Sequence, residues 1–285
     1  FDINQHLINF VLTFANRWVS RAQNKMQGEF KIRKIYSISL LLVILVSWEL
    51  FCRVSNISIL VIPPPSAVGL VLWDGLSEGY LWVHIWVTSV EMLLGLVIGC
   101  SFGFLSGLFL GENKFLRDLL WPYILASQVI PKLALGPLFI IWFGFGMTST
   151  VIITALICFF PLLENTLTGI QYIPTEKREL FRMLGATRLQ TLLKLKIPHG
   201  LPTILAGVRV SVVLALIGAV VGEFLSGQEG LGATIIAAQG MMDSALMFAT
   251  FIIITFIGLI FYQLATTTER WLLRRHNSGG FNANP

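Results

Sequence analysis

Residues 82–110, WVHIWVTSVEMLLGLVIGCSFGFLSGLFL, form a long apolar stretch whose only charged side chain is Glu91. A membrane-spanning helix needs about 20 predominantly apolar residues, and a longer one tilts or protrudes from the bilayer. The stretch therefore predicts a transmembrane helix.

Glycine recurs at every fourth position along this stretch and just beyond it. The residues are Gly95, Gly99, Gly103, Gly107 and Gly111. On a helix this spacing places them on one face, where small residues let a neighbouring backbone approach closely. The pattern predicts tight helix packing and indicates no particular function.

Five further apolar stretches lie outside this one, at roughly 36–54, 119–143, 149–170, 198–225 and 246–270. The whole chain is 55% hydrophobic and 12% charged, whereas about a quarter of the residues of a soluble domain are charged. We therefore predict an all-α integral membrane protein with one transmembrane domain of six spans over residues 36–275.

The two ends of the chain are expected to differ from this domain. Residues 1–35 begin with apolar side chains at helical spacing and continue with basic ones, which favours an interfacial helix on the inner membrane face. A short seventh packing helix is the alternative. The polar tail, residues 276–285, is expected to be disordered.

The basic residues indicate the orientation. Of the 20 basic residues, all except Arg53, Lys132 and Arg209 lie in the N-terminal segment, in 111–118, in 171–197 or at the C-terminus. Because lysine and arginine accumulate on the cytoplasmic side, both termini are predicted to be cytoplasmic. The net charge of +5 is thus attributed to topology rather than to nucleic-acid binding.

The cytoplasmic segment 171–197 predicts two short helices joined by a glycine. Pro174-Thr175-Glu176 is typical of a helix start with Thr175 as the N-cap, and Gly185 ends that helix after Leu184. Thr187-Arg-Leu-Gln190 fits a capping box that begins the second helix. The apolar side chains of this elbow either dock onto a partner protein or pack on the chain's own helix ends.

The elbow also carries a family resemblance. Glu179-Leu-Phe-Arg-Met-Leu-Gly185-Ala-Thr, followed by Ile197-Pro-His-Gly-Leu-Pro202, resembles the EAA loop of ABC importer permeases. In that family the loop forms a coupling helix seated in a groove of the ATPase subunit. The resemblance assigns this role to Glu176, Glu179, Leu180, Phe181, Arg182, Gly185, Ala186 and Thr187. Leu180 and Phe181 depart from the two usual alanines, which changes the detailed contacts.

Further motifs are similar to the sulfonate, taurine, nitrate and pyrimidine-precursor branch of these permeases. They are Pro63-Pro64-Pro65-Ser66, the segment from Ile130 to Gly144, Phe159-Phe160-Pro161, and Gly230-Leu-Gly232. Members often carry a basic residue early in the second span, where this chain has Glu91. That difference indicates either another substrate or another surface contact.

The resemblance implies a type I ABC importer fold and a subunit that forms the path for a small solute. The solute would be a small organic anion, such as a sulfonate or a pyrimidine-type precursor, delivered by an extracytoplasmic binding protein. It also implies two ATPase subunits that hold ATP and Mg, and a second permease subunit in a homodimer, in the bacterial inner membrane. No cofactor is expected in this chain.

Polar groups inside the spans are candidates for the path, because they are costly in lipid. The candidates are Gln128, Lys132, Glu164, Asn165 and Arg209, with Glu49, Glu91 and Glu223 as further intramembrane charges. Lys132 follows Pro131, where a broken helix could line a cavity. Pairing among the charges, or snorkelling to the interface, is the alternative explanation.

Motifs that the sequence lacks reduce the range of functions to consider. The chain has no Gly-x-x-x-x-Gly-Lys-[Ser/Thr] loop, and the spacing of its four histidines and three cysteines predicts no metal site. No convergent catalytic set is evident, so no enzyme activity is expected. An ion-gradient-driven secondary transporter remains the alternative function, although the matched inverted halves typical of that class are not apparent.

Overall fold

The computed structural model describes residues 36, 38–55 and 58–278, with side chains as far as residue 274. The interfacial helix expected within residues 1–35 lies outside the described residues. The chain divides into two compact units, Phe1–Ala67 and Val68–Pro285.

The described elements are helical and are numbered here in chain order. They are α1 (38–54), α2 (Pro65–Ser77), α3 (Tyr80–Glu112), α4 (Lys114–Val129), α5 (Gly136–Phe143), α6 (Met147–Gln171), α7 (Thr175–Met183), α8 (Arg188–Thr191), α9 (Ile197–Ser226), α10 (Leu231–Gly240) and α11 (Ser244–Ser278). Helix α11 extends to Ser278, and the disordered tail expected over residues 276–285 stays a prediction.

In the first unit, Glu49 of α1 links its helix to the chain that follows. Its carboxylate pairs with Arg53 at 2.7 Å and accepts hydrogen bonds from the backbone N–H and the hydroxyl of Ser66, at 3.0 and 2.8 Å. Glu49, one of the charges predicted from the sequence to lie within the spans, is therefore paired with nearby residues.

In the second unit, α3, α6 and α9 form the central layer, and α10 and α11 pack on α9. Helix α3 crosses α6 along its glycine face. A Cβ added to Gly99 would lie 2.9 Å from the Cα of Ala155, and one added to Gly107 would lie 2.7 Å from the carbonyl oxygen of Leu163. The backbones thus approach each other more closely than any larger residue on α3 would permit.

The apolar stretch 119–143 forms a bent pair rather than one straight span. Helix α4 ends at Val129, Ile130 is extended, and a 3₁₀ turn over Lys132–Leu135 leads into α5. The chain bends by 81° between the two arms. Pro131 explains the break, because it lacks an N–H and forces the preceding residue out of the helical conformation.

Four helices are long and apolar enough to cross a membrane: Tyr80–Glu112, Met147–Gln171, Arg188–Ser226 and Ser244–Arg274. The bent pair makes five if it counts as one span. The all-helical membrane fold is therefore confirmed among the described residues, and the count of six, which requires α1, stays a prediction.

Candidate functional site

The elbow between α6 and α9 begins one residue away from the predicted position. Pro174 is the N-cap of α7, and Thr175 is the first helical residue rather than the cap. Proline holds its own φ near −65° and favours an extended conformation here, so the helix starts directly after it. Glu176 lies in the first turn of α7, near the positive end of the helix.

The turn of the elbow depends on Gly185. Its φ is +68°, a left-handed conformation that costs a β-carbon-bearing residue about 1–2 kcal/mol. The N–H groups of Gly185 and Ala186 donate to the carbonyls of Arg182 and Phe181, at 3.1 and 3.0 Å. These bonds satisfy the end of α7 while the chain reverses.

Helix α8 begins with the capping box expected from the sequence. The hydroxyl of Thr187 accepts the N–H of Gln190 at 3.2 Å, and the side chain of Gln190 accepts the N–H of Thr187 at 2.9 Å. A π-helical turn over Leu192–Lys196 then joins α8 to α9 without interruption. The elbow is consequently continuous with a membrane span.

The apolar side chains of the elbow are mostly uncovered by the described part of the chain. Leu180, Leu184 and Leu189 are 54%, 72% and 63% exposed, and α7 contains no buried residue. Phe181 and Ala186 are half-buried. Of the two explanations considered for this apolar face, packing on the chain's own helix ends accounts only for the half-buried residues.

The elbow is fixed to the spans on both sides. Lys196 pairs with Glu112 at the end of α3 at 2.6 Å. The guanidinium of Arg178 donates to the carbonyl of Gln171, the last residue of α6, at 3.5 Å. Where α6 and α9 cross, a Cβ on Gly200 would lie 2.6 Å from the carbonyl carbon of Gly169. A displacement of the elbow therefore has to move the ends of α6 and α9.

Two of the path candidates, Lys132 and Asn165, lie at or beside the middle part of α6. The ammonium of Lys132 donates to the carbonyl of Gln128 at 3.4 Å and lies 4.6 Å from the centre of the Phe160 ring. The side chain of Asn165 donates to the carbonyl of Pro161 at 2.8 Å. The helix break thus places a cation beside the middle of α6.

Glu164 lies one turn after Phe160, toward the C-terminal end of α6, and lines a cavity of about 490 Å³ between α4 and α6. Arg117, Asp118, Trp121 and Gln171 are among its lining residues. The cavity combines charged and apolar walls and lies near the helix ends that lead to the elbow.

Arg209 is separate from these groups. It pairs with Glu269 of α11 at 3.3 Å, and the side chain of Glu269 is only 14% exposed. The pairing alternative considered from the sequence therefore holds for Arg209. Sequence reasoning missed Glu269, because the sequence does not show whether two helices that are far apart in the chain face each other.

A second missed arrangement lies where α10 meets α3 and α9. The N–H of Gly230 donates to Nδ1 of His84 at 3.0 Å, that of Leu231 to the hydroxyl of Thr88 at 2.8 Å, and that of Gly232 to Glu223. Glu91 adjoins Glu223 and is only 3% exposed. A surface contact therefore does not explain why this chain has Glu91 where family members often carry a basic residue. Within the described residues, no three His, Cys, Asp or Glu side chains are grouped so that they could hold a metal ion.

Known proteins are similar to this chain in sequence and in fold. Residues 95–276 match the family described as binding-protein-dependent transport system inner membrane component. The riboflavin transport system permease protein RibX of Chloroflexus aurantiacus is 39% identical, over 82% of this chain and 87% of that protein. The formylaminopyrimidine transport permease protein ThiX of Halalkalibacterium halodurans is 34% identical, over 81% and 92%. A putative aliphatic sulfonates transport permease protein, SsuC of Bacillus subtilis, is 30% identical, over 91% and 94%.

Solved structures agree at the level of the fold. A chain of the MetNI methionine ABC transporter, in an inward facing conformation, superposes with a TM-score of 0.61 at 16% identity, covering 67% of this chain and 94% of that one. Together with the apolar spans and the elbow, these similarities show that the chain belongs to the binding-protein-dependent transport system inner membrane component family and is a permease of an ABC importer.

Proposed function

We propose that residues 176–190 form the surface on which an ATPase subunit docks, and that this contact drives transport through the permease. The observation that carries the proposal is the row of exposed leucines, Leu180, Leu184 and Leu189, on an elbow fixed to three spans. Exposed apolar side chains on the cytoplasmic side gain free energy by burial against a partner, about 1.5–3 kcal/mol for each side chain that is fully covered.

ATP and Mg belong to the partner in this proposal. Closure of two ATPase subunits on ATP brings two elbows together, and the link from Lys196 to Glu112 passes the movement to α3. The crossing at Gly169 and Gly200 passes it to α6 and α9. The elbow can bias the membrane domain only to the extent that its contacts differ between the two states.

The assembly proposed is a homodimer of this permease in the bacterial cytoplasmic membrane. Both termini and segment 171–197 lie in the cytoplasm, following the distribution of basic residues. The segments 55–81 and 226–245 then lie outside, where a solute-binding protein delivers the substrate.

The proposed substrate is a small organic anion, such as a sulfonate or a pyrimidine-type precursor. Support comes from Lys132, which remains a candidate cation on the path after Arg209 is assigned to an ion pair with Glu269. Relatives are named for aliphatic sulfonates, which are anions, and for formylaminopyrimidine, a pyrimidine compound, and another is named for riboflavin. Specificity would lie largely in the binding protein, so the ligand of the binding protein encoded beside this chain is the decisive observation for the substrate.

The docking surface can be tested by co-purification. The double variant Leu180→Asp/Leu184→Asp should weaken binding of the ATPase subunits at least about tenfold, because every 1.4 kcal/mol lost is tenfold in affinity. Met241→Asp changes a comparably exposed apolar residue on the opposite side and should leave the ATPase bound. Undiminished ATPase binding to the double variant would overturn the proposal.

Uptake separates an ATP-driven importer from a secondary transporter. Solute uptake should stop when the partner ATPase cannot hydrolyse ATP, and it should continue when the ion gradients are collapsed while ATP is maintained. The opposite pair of results would favour the ion-gradient-driven alternative.

A further inference from the structure

The N-terminal end of α10 is held by side chains from two other helices. Its first N–H groups, on Gly230, Leu231 and Gly232, donate to His84 and Thr88 of α3 and to Glu223 of α9. His84, Thr88 and Glu91 lie on one face of α3, one turn apart. The segment between α9 and α11 is therefore attached to the membrane domain by specific polar contacts.

Glu223 occupies a space that only glycine leaves open. Gly230 has a φ of +108°, and a Cβ on it would lie 2.7 Å from Oε2 of Glu223. A Cβ on Gly232 would lie 2.8 Å from both Cβ and Oε2 of the same residue. The carboxyl group is thus enclosed by the backbone that it binds.

Glu91 meets Glu223 inside the protein. The two residues are 3% and 1% exposed. Within the described part of the chain, one oxygen of each carboxyl group, Oε2 of Glu91 and Oε1 of Glu223, has no hydrogen-bond partner. Two adjacent carboxylates buried in this way repel each other strongly, so they cannot both be ionised without a compensating charge.

The surrounding helices supply no such charge. Helices α3, α5, α6 and α10 contain no lysine or arginine, and the charged residues of α6 and α11 are Glu164, Glu269, Arg270, Arg274 and Arg275. Those of α11 lie more than 20 residues beyond its first turn, which is the part next to α10 in the chain. Arg209 lies on α9, about 21 Å along the helix from Glu223 at 1.5 Å per residue, and it pairs with Glu269. The titratable groups nearest in sequence are Glu229, close to Glu223, and His84, close to Glu91; Nδ1 of His84 accepts from Gly230. A proton is the remaining means of neutralisation.

The hydrogen bonds indicate which carboxyl group holds the proton. Glu223 accepts from the N–H of Gly232 and also contacts Thr88. The hydroxyl of Thr88 already accepts from Leu231, so its own proton is available to Glu223. Glu223 thus has donors that stabilise a carboxylate, whereas the hydrogen-bond partner of Glu91 is Glu223 itself.

We propose that Glu91 is protonated and donates a hydrogen bond to the Glu223 carboxylate, and that this shared proton positions α10 against α3 and α9. Both are positioning residues. Loss of the proton would place two buried negative charges side by side and release the N-terminal end of α10. The attachment of segment 227–243 should therefore weaken as the pH rises, since deprotonation removes the bond. The proposal does not depend on ATPase docking.

Infrared spectroscopy of the purified full-length protein tests the proton directly. At neutral pH the native chain should show the carbonyl stretch of a buried carboxylic acid. That band should disappear in Glu91→Gln, because Glu223 then keeps the donors of Gly232 and Thr88 and remains ionised. It should persist in Glu223→Gln, because Glu91 stays buried and gains no charge that would stabilise its carboxylate. Glu78→Gln, which changes an exposed carboxylate, should keep the band. A band that survives in Glu91→Gln, is lost in Glu223→Gln or is absent from the native chain overturns the proposal.

Hydrogen exchange distinguishes a titrating proton on Glu91 from a side chain that only fills space. After correction for the intrinsic effect of pH, exchange at the amides of 230–232 should accelerate at alkaline pH in the native chain. It should be independent of pH in Glu91→Gln, whose amide can donate without titrating. Should Glu91→Gln fail to fold, Glu223→Gln serves the same comparison at Leu231. Equal pH dependence in the native chain and the folded variant contradicts the positioning role.

Discussion

At the scale of single residues, the packing of α3 on α6 depends on the missing side chain of Gly99. A Cβ there would lie 2.9 Å from both the Cα of Ala155 and the Cβ of Cys158, so the backbones would have to separate. We expect Gly99→Ala to destabilise the protein by about 1–3 kcal/mol, as overpacking does in a well-packed core. Thermal unfolding in detergent measures this as a lower Tm.

The matched control for that substitution is Gly69→Ala in α2. A Cβ on Gly69 meets nothing within 4 Å. In a helix, replacing glycine by alanine at an open position should be neutral or stabilising by about 0.4–1 kcal/mol. If both variants shift the Tm in the same direction, close backbone approach at Gly99 is not what stabilises the pair of helices.

At the scale of elements, the elbow formed by α7 and α8 depends on the left-handed conformation of Gly185. Gly185→Val should strain the turn and uncouple the two helices, because a β-branched residue rarely adopts positive φ. Transport-linked ATP hydrolysis by the assembled complex should then fall, while the thermal stability of the spans changes little.

Gly185→Asn is the matched variant for the elbow. Asparagine tolerates the left-handed region better than other residues with a side chain, so it should retain most of the ATP hydrolysis. Equal losses in Gly185→Val and Gly185→Asn would indicate that contact with the side chain, rather than backbone conformation, limits coupling.

At the scale of the whole molecule, the predicted topology places basic segments in the cytoplasm. In a background without native cysteines, Lys177→Cys should react with a membrane-impermeant thiol reagent only after the cells are permeabilised. Glu78→Cys should react in intact cells. Both residues are exposed, so their accessibility depends on the side of the membrane. Reaction of Lys177→Cys in intact cells would contradict the orientation.

Local chemistry explains why much of this protein was predictable. Long apolar stretches must be helical in lipid, where each backbone polar group needs a partner within the segment. The break at Pro131, the glycine face of α3 and the capping box at Thr187 also depend on neighbours in sequence, so the residues themselves indicate them. The N-cap at Pro174 differed by one residue, since proline and threonine both favour helix starts.

The amino-acid sequence by itself determined the helical membrane class, the elbow and the family. Only the tertiary structure decided which charges meet. It pairs Arg209 with Glu269, and it brings Glu91 against Glu223 and the start of α10. The physical reason is that helix periodicity specifies a face but not the helix opposite it. The partner of a buried charge is set by how α3, α9, α10 and α11 pack, and this depends on the whole chain.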